Sequence, residues 1–376
     1  MKICILRGPN EPVYESLKQA LESHHHLVQI FSIDQKTPLL DLTNALEKFR
    51  PDFCLTINFY VFDEWYSGGR ELEGYLESKS IPVGSIYWDA PWASGTYSLL
   101  DRMNKGPFSK NILFLVIDRA HEEFFLKRGV KALFLRSAVD VKFSQIVPSE
   151  ELSRKFSFPV SYVGSPIKQI FFKVQSEQRL HDIYIRIMQG ELGIWLENSA
   201  SLSKEEAGRE TEIVRPFVSQ FLRDFHHDAE SFEKSENIFY GEVERFLRPA
   251  SYVTFERFRA RVEFLYSWMQ LHTYLVRLLP EDLRVFGGNE WSEFLLPGYS
   301  HSSPRLTNEE LSACFKNSKI NFCLTKWQFR TAVHEKPLQI LLSNGFPLTD
   351  DRSDLKDYFA QGEIISYRSF EEAKDL

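Results

Sequence analysis

The densest run of side chains able to do chemistry lies between Trp327 and Asp354, WQFRTAVHEKPLQILLSNGFPLTDDRSD. Arg330, His334, Glu335, Lys336 and Gln339 gather at and just inside a helix start, followed by Gly345 and a strand that ends at Thr349-Asp350. Cations near a helix N-terminus work against the macrodipole unless an anion lies between them. A bound diphosphate removes that conflict and leaves a polar side chain for ribose hydroxyls; an exposed helix start with scattered charges is the plainer account of the same residues. Two glycine turns follow predicted strands. Gly164-Ser165 follows Val160 to Val163 and leads into a helix carrying Lys168, and Gly287-Gly288-Asn289 follows Leu283 to Phe286. A small turn at a helix N-terminus presents backbone amides that suit a phosphate, and glycine admits a ligand close to the chain. Tight strand-to-helix connections ask for the same glycines.

In the N-terminal half, Asp89 stands at the carboxyl end of a predicted strand, where it could serve as general base or hold acceptor hydroxyls. An Asp that caps the turn before Ala90-Pro91 explains it equally well. Tyr87, Trp88 and Trp92 offer the flat apolar faces on which sugars stack, and core packing is the competing use of such rings. Asn58 and Tyr60, just after the strand Phe53 to Ile57, are acceptor-binding candidates of the same type.

Several chemistries lack their signals. Neither glycine turn has the three-glycine dinucleotide fingerprint, and the chain has no GxxxxGK[ST], which argues against nicotinamide cofactors and P-loop hydrolysis. No Gly-x-Ser-x-Gly elbow is present for a hydrolase. His24-His25-His26 and His226-His227 show no zinc-ligand spacing, so neither a metal nor another cofactor is expected. With 45 Lys+Arg against 52 Asp+Glu the net charge is -7, which disfavours nucleic acid and anionic lipid as partners. Cys4, Cys54, Cys314 and Cys323 sit in or beside apolar runs without CxxC spacing, as reduced core residues of a cytoplasmic protein do. No run reaches the roughly 18 to 20 apolar residues of a membrane span, and MKICILRGPNEP lacks the pattern of a secretory leader.

The elements that must position these residues follow an α/β grammar. Apolar runs Ile3 to Leu6, Leu27 to Ile33, Phe53 to Ile57, Ile81 to Trp88, Ile112 to Ile117 and Ala132 to Leu135 alternate with helices over Glu11 to Ser23, Thr43 to Phe49, Arg70 to Glu77 and Arg119 to Lys127. That alternation builds a parallel sheet with helices on both faces, a doubly wound domain over residues 1–150. The polar run PSEELSRKFSFP, from Pro148 to Pro159, reads as a linker. A second such domain, 158–376, opens with Val160 to Val163. It carries a helical insertion at about 170–280, marked by core-facing stripes such as Ile213, Phe217, Phe221 and Phe225. The strand and helix alternation then resumes with Leu283 to Phe286, Glu309 to Asn317, Ile320 to Leu324, Lys336 to Ser343, Phe346 to Leu348 and Leu355 to Phe359. Two α/β domains place a ligand cleft at the carboxyl ends of their strands.

Several segments in order along the chain resemble the CgeB-like, spore-maturation-type glycosyltransferases. HEKPLQILLSNGFPLTDDRSDL followed by SYRSFEEAKDL is similar to that family's C-terminal signature. IPVGSIYWDAPW is similar to its strand and Asp-x-Pro turn, NILFLVIDRAHEEFFLKRGVKALFLRSAVD to its next strand, helix and strand, and FPVSYVGSP to its domain-opening turn. The resemblance covers residues 1–168 and 281–376 in pattern and implies a GT-B architecture of two Rossmann-like domains. It also implies metal-independent transfer of a sugar from a nucleoside-diphosphate donor to a glycan or protein acceptor. By position, Gly164, Ser165, Gly287, Gly288, Asn289 and the segment Arg330 to Gln339 would line the donor site. Gln339 stands where the family commonly has a ribose-binding Glu, a role Glu335 could assume, and His334-Glu335-Lys336 stands where Asn-x-Arg is common. These departures keep a second expectation open: a non-catalytic GT-B-like binding or scaffold protein that recruits a partner through the helical insertion.

Overall fold

The computed structural model of the chain describes residues 1–8, 13–62, 66–88, 91, 99, 103, 106–164, 283–287, 300–302, 306–325, 329–368 and 370–376. The expected helical insertion, its apolar stripes, Asp89, Trp92, Ser165, Gly288 and Asn289 lie outside the described residues. The chain divides into two compact units, Met1–Ser137 with Arg330–Ala332, and Ala138–Phe329 with Val333–Leu376.

The first unit holds a six-stranded sheet built from β1 (Lys2–Arg7), β2 (Leu27–Ser32), β3 (Phe53–Ile57), β4 (Val83–Tyr87), β5 (Ile112–Val116) and β6 (Ala132–Phe134). Their order is β2-β1-β3-β4-β5-β6 and each neighbouring pair is parallel. Ile3, Cys4, Ile5 and Leu6 of β1 are all buried, the continuous apolar run expected of a strand covered on both faces. Alternation sends Ile3, Ile5, Leu55 and Ile57 to one face, where Tyr14, Leu17 and Leu21 of the helix Val13–Ser23 cover them. The opposite face carries Tyr87, whose ring meets Phe114 and Phe125, and Phe114 stacks on Phe125 at 4.6 Å.

The second unit holds another six-stranded sheet, made of β7 (Val160–Val163), β8 (Leu283–Phe286), β9 (Ser300–Ser302), β10 (Ile320–Cys323), β11 (Pro347–Asp350) and β12 (Ile365–Tyr367). Its order is β12-β11-β10-β7-β8-β9, again parallel throughout. The chain runs outward one way from β7 to β9, then starts again beside β7 and runs the other way. The switch point therefore lies between β7 and β10, the position at which Rossmann-like sheets bind ligands outside the carboxyl ends. Two Rossmann-like parallel sheets agree with the expected α/β class.

The local differences from expectation have identifiable causes. The strand expected to reach Trp88 stops at Tyr87, because the Trp88 amide donates to Asn58 Oδ1 at 2.8 Å instead of to a neighbouring strand. The polar run from Pro148 holds a short helix, Glu150–Lys155, whose N-cap Ser149 accepts from Leu152 N and whose Lys155 pairs with Glu310 at 3.2 Å. The helix expected over Leu355 to Phe359 is a tighter 3-10 turn, Ser353–Asp357. β9 and β12 occupy the two sheet edges and were not expected, since SHS and ISY carry no apolar run.

Candidate functional site

The second unit concentrates polar groups at the carboxyl ends of β7, β10 and β11, around the switch point. β7 ends at Val163, and the next amide, Gly164, continues the ladder to Phe286 O at 2.8 Å. A Cβ there would lie 2.6 Å from the Tyr162 phenol oxygen, so any larger residue would have to displace that ring. Burial, then Cys323 and Asp350, push the Tyr162 phenol far above its ordinary range, so it keeps its proton. The Lys336 ammonium donates to the Val163 carbonyl and lies 5.4 Å from the centre of the Tyr162 ring. A cation thus stands at the end of the strand that opens the sheet.

Lys336 reaches that point from the first turn of the helix Glu335–Leu342. His334 is the N-cap, with φ -66 and ψ 156, and its Nδ1 accepts from the Lys336 amide at 3.2 Å. An accepting Nδ1 carries no hydrogen, so the proton of the neutral ring is on Nε2. Pro337 has no amide hydrogen to offer. Of the first-turn amides this leaves that of Glu335, so the helix start presents less backbone to an anion than its position suggests. Glu335 is exposed and Gln339, half-buried, follows one turn later on the same side of the helix.

Asp350, at the end of β11, organises the far side. It is 7% exposed; one carboxylate oxygen accepts from Thr325 N and Oγ1 at 2.9 and 2.8 Å, and the other receives Arg352 Nε at 2.6 Å. Arg352 Nη2 is also 2.6 Å from that oxygen, and Nη1 donates to the Phe329 carbonyl at 3.2 Å. The planar fork of the guanidinium lets one side chain meet both acceptors. Tyr367, from β12, donates its hydroxyl to Cys323 O at 2.7 Å and fixes the end of β10. Gly287 closes β8 at φ 127, a backbone state that L side chains rarely adopt.

The first unit carries the other described candidates. Asn58 has φ 51 and is buried, with its side-chain oxygen holding the Trp88 amide. Trp88 is half-buried and packs against the Ile3 to Ile57 cluster. Tyr60 begins the 3-10 turn Tyr60–Phe62. Arg330 belongs to this unit too, and its amide is one of three consecutive amides bound by Asp118. Asp118 Oδ2 lies 2.7, 2.9 and 3.1 Å from the amides of Arg330, Thr331 and Ala332. Its Oδ1 accepts from Ala120 N at 2.7 Å, capping the helix Arg119–Leu126, and from Thr331 Oγ1 at 3.0 Å. Asp118 is fully buried, and the three converging amides form a nest around one carboxylate oxygen.

The structure therefore brings Gly164, His334, Glu335, Lys336 and Gln339 together in one unit with Tyr162, Thr325, Asp350 and Arg352, and sets Arg330 beside Asp118. Tyr162, Thr325, Asp350, Arg352 and Asp118 were missed as site residues. A strand ending in Thr-Asp followed by Arg two positions on was the available signal for Asp350 and Arg352. Asp118 reads locally as a helix N-cap, and nothing near it announces partners at 330–332.

Residues 261–376 match a family model described as glycosyl transferase-like, and this match supports glycosyl transfer in general terms. No curated protein matches the chain. Among solved structures, the Candida albicans trehalose-6-phosphate phosphatase N-terminal domain is similar at 10% identity and a TM-score of 0.41, over 100% of this chain and 87% of that one. A likeness that low carries no argument. Among the described residues no helix is long and apolar enough to cross a membrane.

Proposed function

We propose that the protein is a GT-B glycosyltransferase of the CgeB-like kind. It binds a nucleoside-diphosphate sugar at the carboxyl ends of β7 and β10, with the Lys336 ammonium meeting the diphosphate. The observation that carries this reading is the position of Lys336 at the switch point of a Rossmann-like sheet, on the Val163 carbonyl, within the segment that matches the glycosyl transferase-like family. In the proposed reaction the acceptor hydroxyl attacks the anomeric carbon and Asp89 takes its proton. The bond from that carbon to the phosphate oxygen breaks, and the diphosphate leaves with the electron pair. An ammonium beside the leaving group neutralises charge that develops in the transition state, the part a metal ion plays elsewhere. In this reading Glu335 and Gln339, one turn apart, take the ribose hydroxyls.

The test is a transfer and hydrolysis screen of nucleotide sugars, paired with thermal shift in uridine, guanosine and thymidine diphosphates. Stabilisation by one of them that Lys336→Met abolishes, with sugar released from the matching donor and lost in Asp89→Ala, is the expected result. Absence of both binding and turnover across the panel refutes the assignment. A second reading, a binding protein without catalysis, is favoured by the first turn that Pro337 and the His334 cap leave with the Glu335 amide. No stabilisation by any of the three diphosphates would select it.

A further inference from the structure

We propose that Arg352, anchored on Asp350, is a positioning residue for the nucleoside-diphosphate site and acts through Phe329 on the His334 imidazole; this rests on the function proposed above. Asp350 holds Thr325 through one oxygen and Arg352 through the other, while Arg352 holds the Phe329 carbonyl at 3.2 Å. The pair thereby holds both Thr325 and Phe329. Phe329 is 6% exposed, and its ring meets the His334 imidazole edge-on with centroids 5.8 Å apart. That imidazole caps the helix whose second residue, Lys336, puts its ammonium on Val163. A buried ring with a fixed carbonyl has little room to move, so the imidazole packed on it keeps Nδ1 aimed at the Lys336 amide. Lysine at 352 would retain the charge and lose the fork, and a single ammonium cannot meet the Asp350 carboxylate and the Phe329 carbonyl in the same geometry.

Arg352→Lys is therefore expected to alter the ring nitrogen resonances of His334. Wild type gives one fixed tautomer, with Nδ1 bare and Nε2 protonated; the variant gives the mixed tautomers of an imidazole that has left its cap. Affinity for the nucleoside diphosphate that stabilises the wild type is expected to fall about tenfold. Arg368→Lys serves as control, since it alters an exposed pair, Arg368 Nε with Asp351 at 2.8 Å, and should change neither readout. If Arg352→Lys does not fold, Asp350→Asn replaces it, because the new amide faces the guanidinium and loosens its hold. Unchanged His334 resonances in a folded variant of either kind overturn the proposal. Should the wild type bind no nucleoside diphosphate, the function proposed above fails, and the His334 spectrum still decides the role of Arg352.

Discussion

Replacing Asp118 with Asn preserves the volume of the side chain and removes its charge, which isolates what the carboxylate does for residues 330–332. With the amide oxygen in the Oδ2 position, the amides of Arg330, Thr331 and Ala332 keep an acceptor but lose its charge. The difference between charged and neutral acceptors is about 0.5–1 kcal/mol for each of these bonds. The new NH2 then stands 2.7 Å from the Ala120 amide, so the helix Arg119–Leu126 loses its N-cap, at about 1 kcal/mol. The Thr331 hydroxyl, which accepts from the Arg119 amide at 3.1 Å, loses the Asp118 Oδ1 acceptor of its own proton. Together these effects destabilise the segment by about 3–4 kcal/mol, which lowers the hydrogen-exchange protection of the three amides roughly a hundredfold or more. Asp140→Asn is the comparison: Asp140 caps an exposed turn through the Lys142 amide at 2.9 Å, and its loss should cost about 1 kcal/mol or less. If Asp118→Asn leaves the exchange of Arg330, Thr331 and Ala332 within about threefold of wild type, the nest is not held by the carboxylate and the reasoning fails.

Two other outcomes can be checked on the same protein. A Cβ on Gly345 would lie 2.2 Å from the Phe315 carbonyl oxygen and 2.8 Å from its carbon, both backbone atoms. Gly345→Ala should therefore lower the unfolding free energy in urea by about 2–3 kcal/mol, and a change below about 0.5 kcal/mol would contradict that close approach. All four cysteines are buried, and burial pushes the Cys314 thiol from its ordinary 9.0 up to about 11 and the Cys323 thiol up to about 12. The unfolded thiols ionise first, so their contribution to stability is complete below pH 9.0 and is lost as pH rises through 11 to 12. Native protein at pH 8 should resist alkylation, all four thiols should react in denaturant, and unfolding free energy should decline above pH 9. Rapid labelling of Cys323 in the native state would count against its burial.

How much of this could be read beforehand depends on where each residue finds its partners. β1, β3 and β5 were legible because strands covered on both faces read as near-continuous apolar runs, and KICILR, FCLTI and ILFLV show such runs without their neighbours. β9 and β12 were illegible for the converse reason. An edge strand is defined by the hydrogen bonds it makes to β8 or β11, and SHS and ISY would sit as readily in a loop. The carboxylates divide the same way. Asp118 before Arg119 is a legible N-cap, but its hold on residues about 212 positions away is written nowhere near it. Asp350 was visible as the end of a strand, whereas its bond to Thr325 depends on β10 and β11 being neighbours.

At the helix that starts at Glu335 the side chains and the backbone offer an anion different things. Cations at a positive dipole end, His334 and Lys336 among them, suggested an anion lying between side chains and helix start. Pro337 was in view from the start, and its missing amide already removed one donor; the imidazole of His334 removes a second by turning inward as a cap. What is left to face an anion is the Glu335 amide and the Lys336 side chain, which donates to the carbonyl that ends β7. An ammonium is a rotatable point charge without a planar fork. A site built on it would tolerate diphosphates of differing base more readily than one built on aligned amides, leaving selectivity to the ribose and base contacts around Glu335 and Gln339. Comparable stabilisation by uridine, guanosine and thymidine diphosphates in Glu335→Ala/Gln339→Ala, against discrimination in the wild type, is the result this division of labour requires. Discrimination that survives the double substitution would return the selective contact to the backbone.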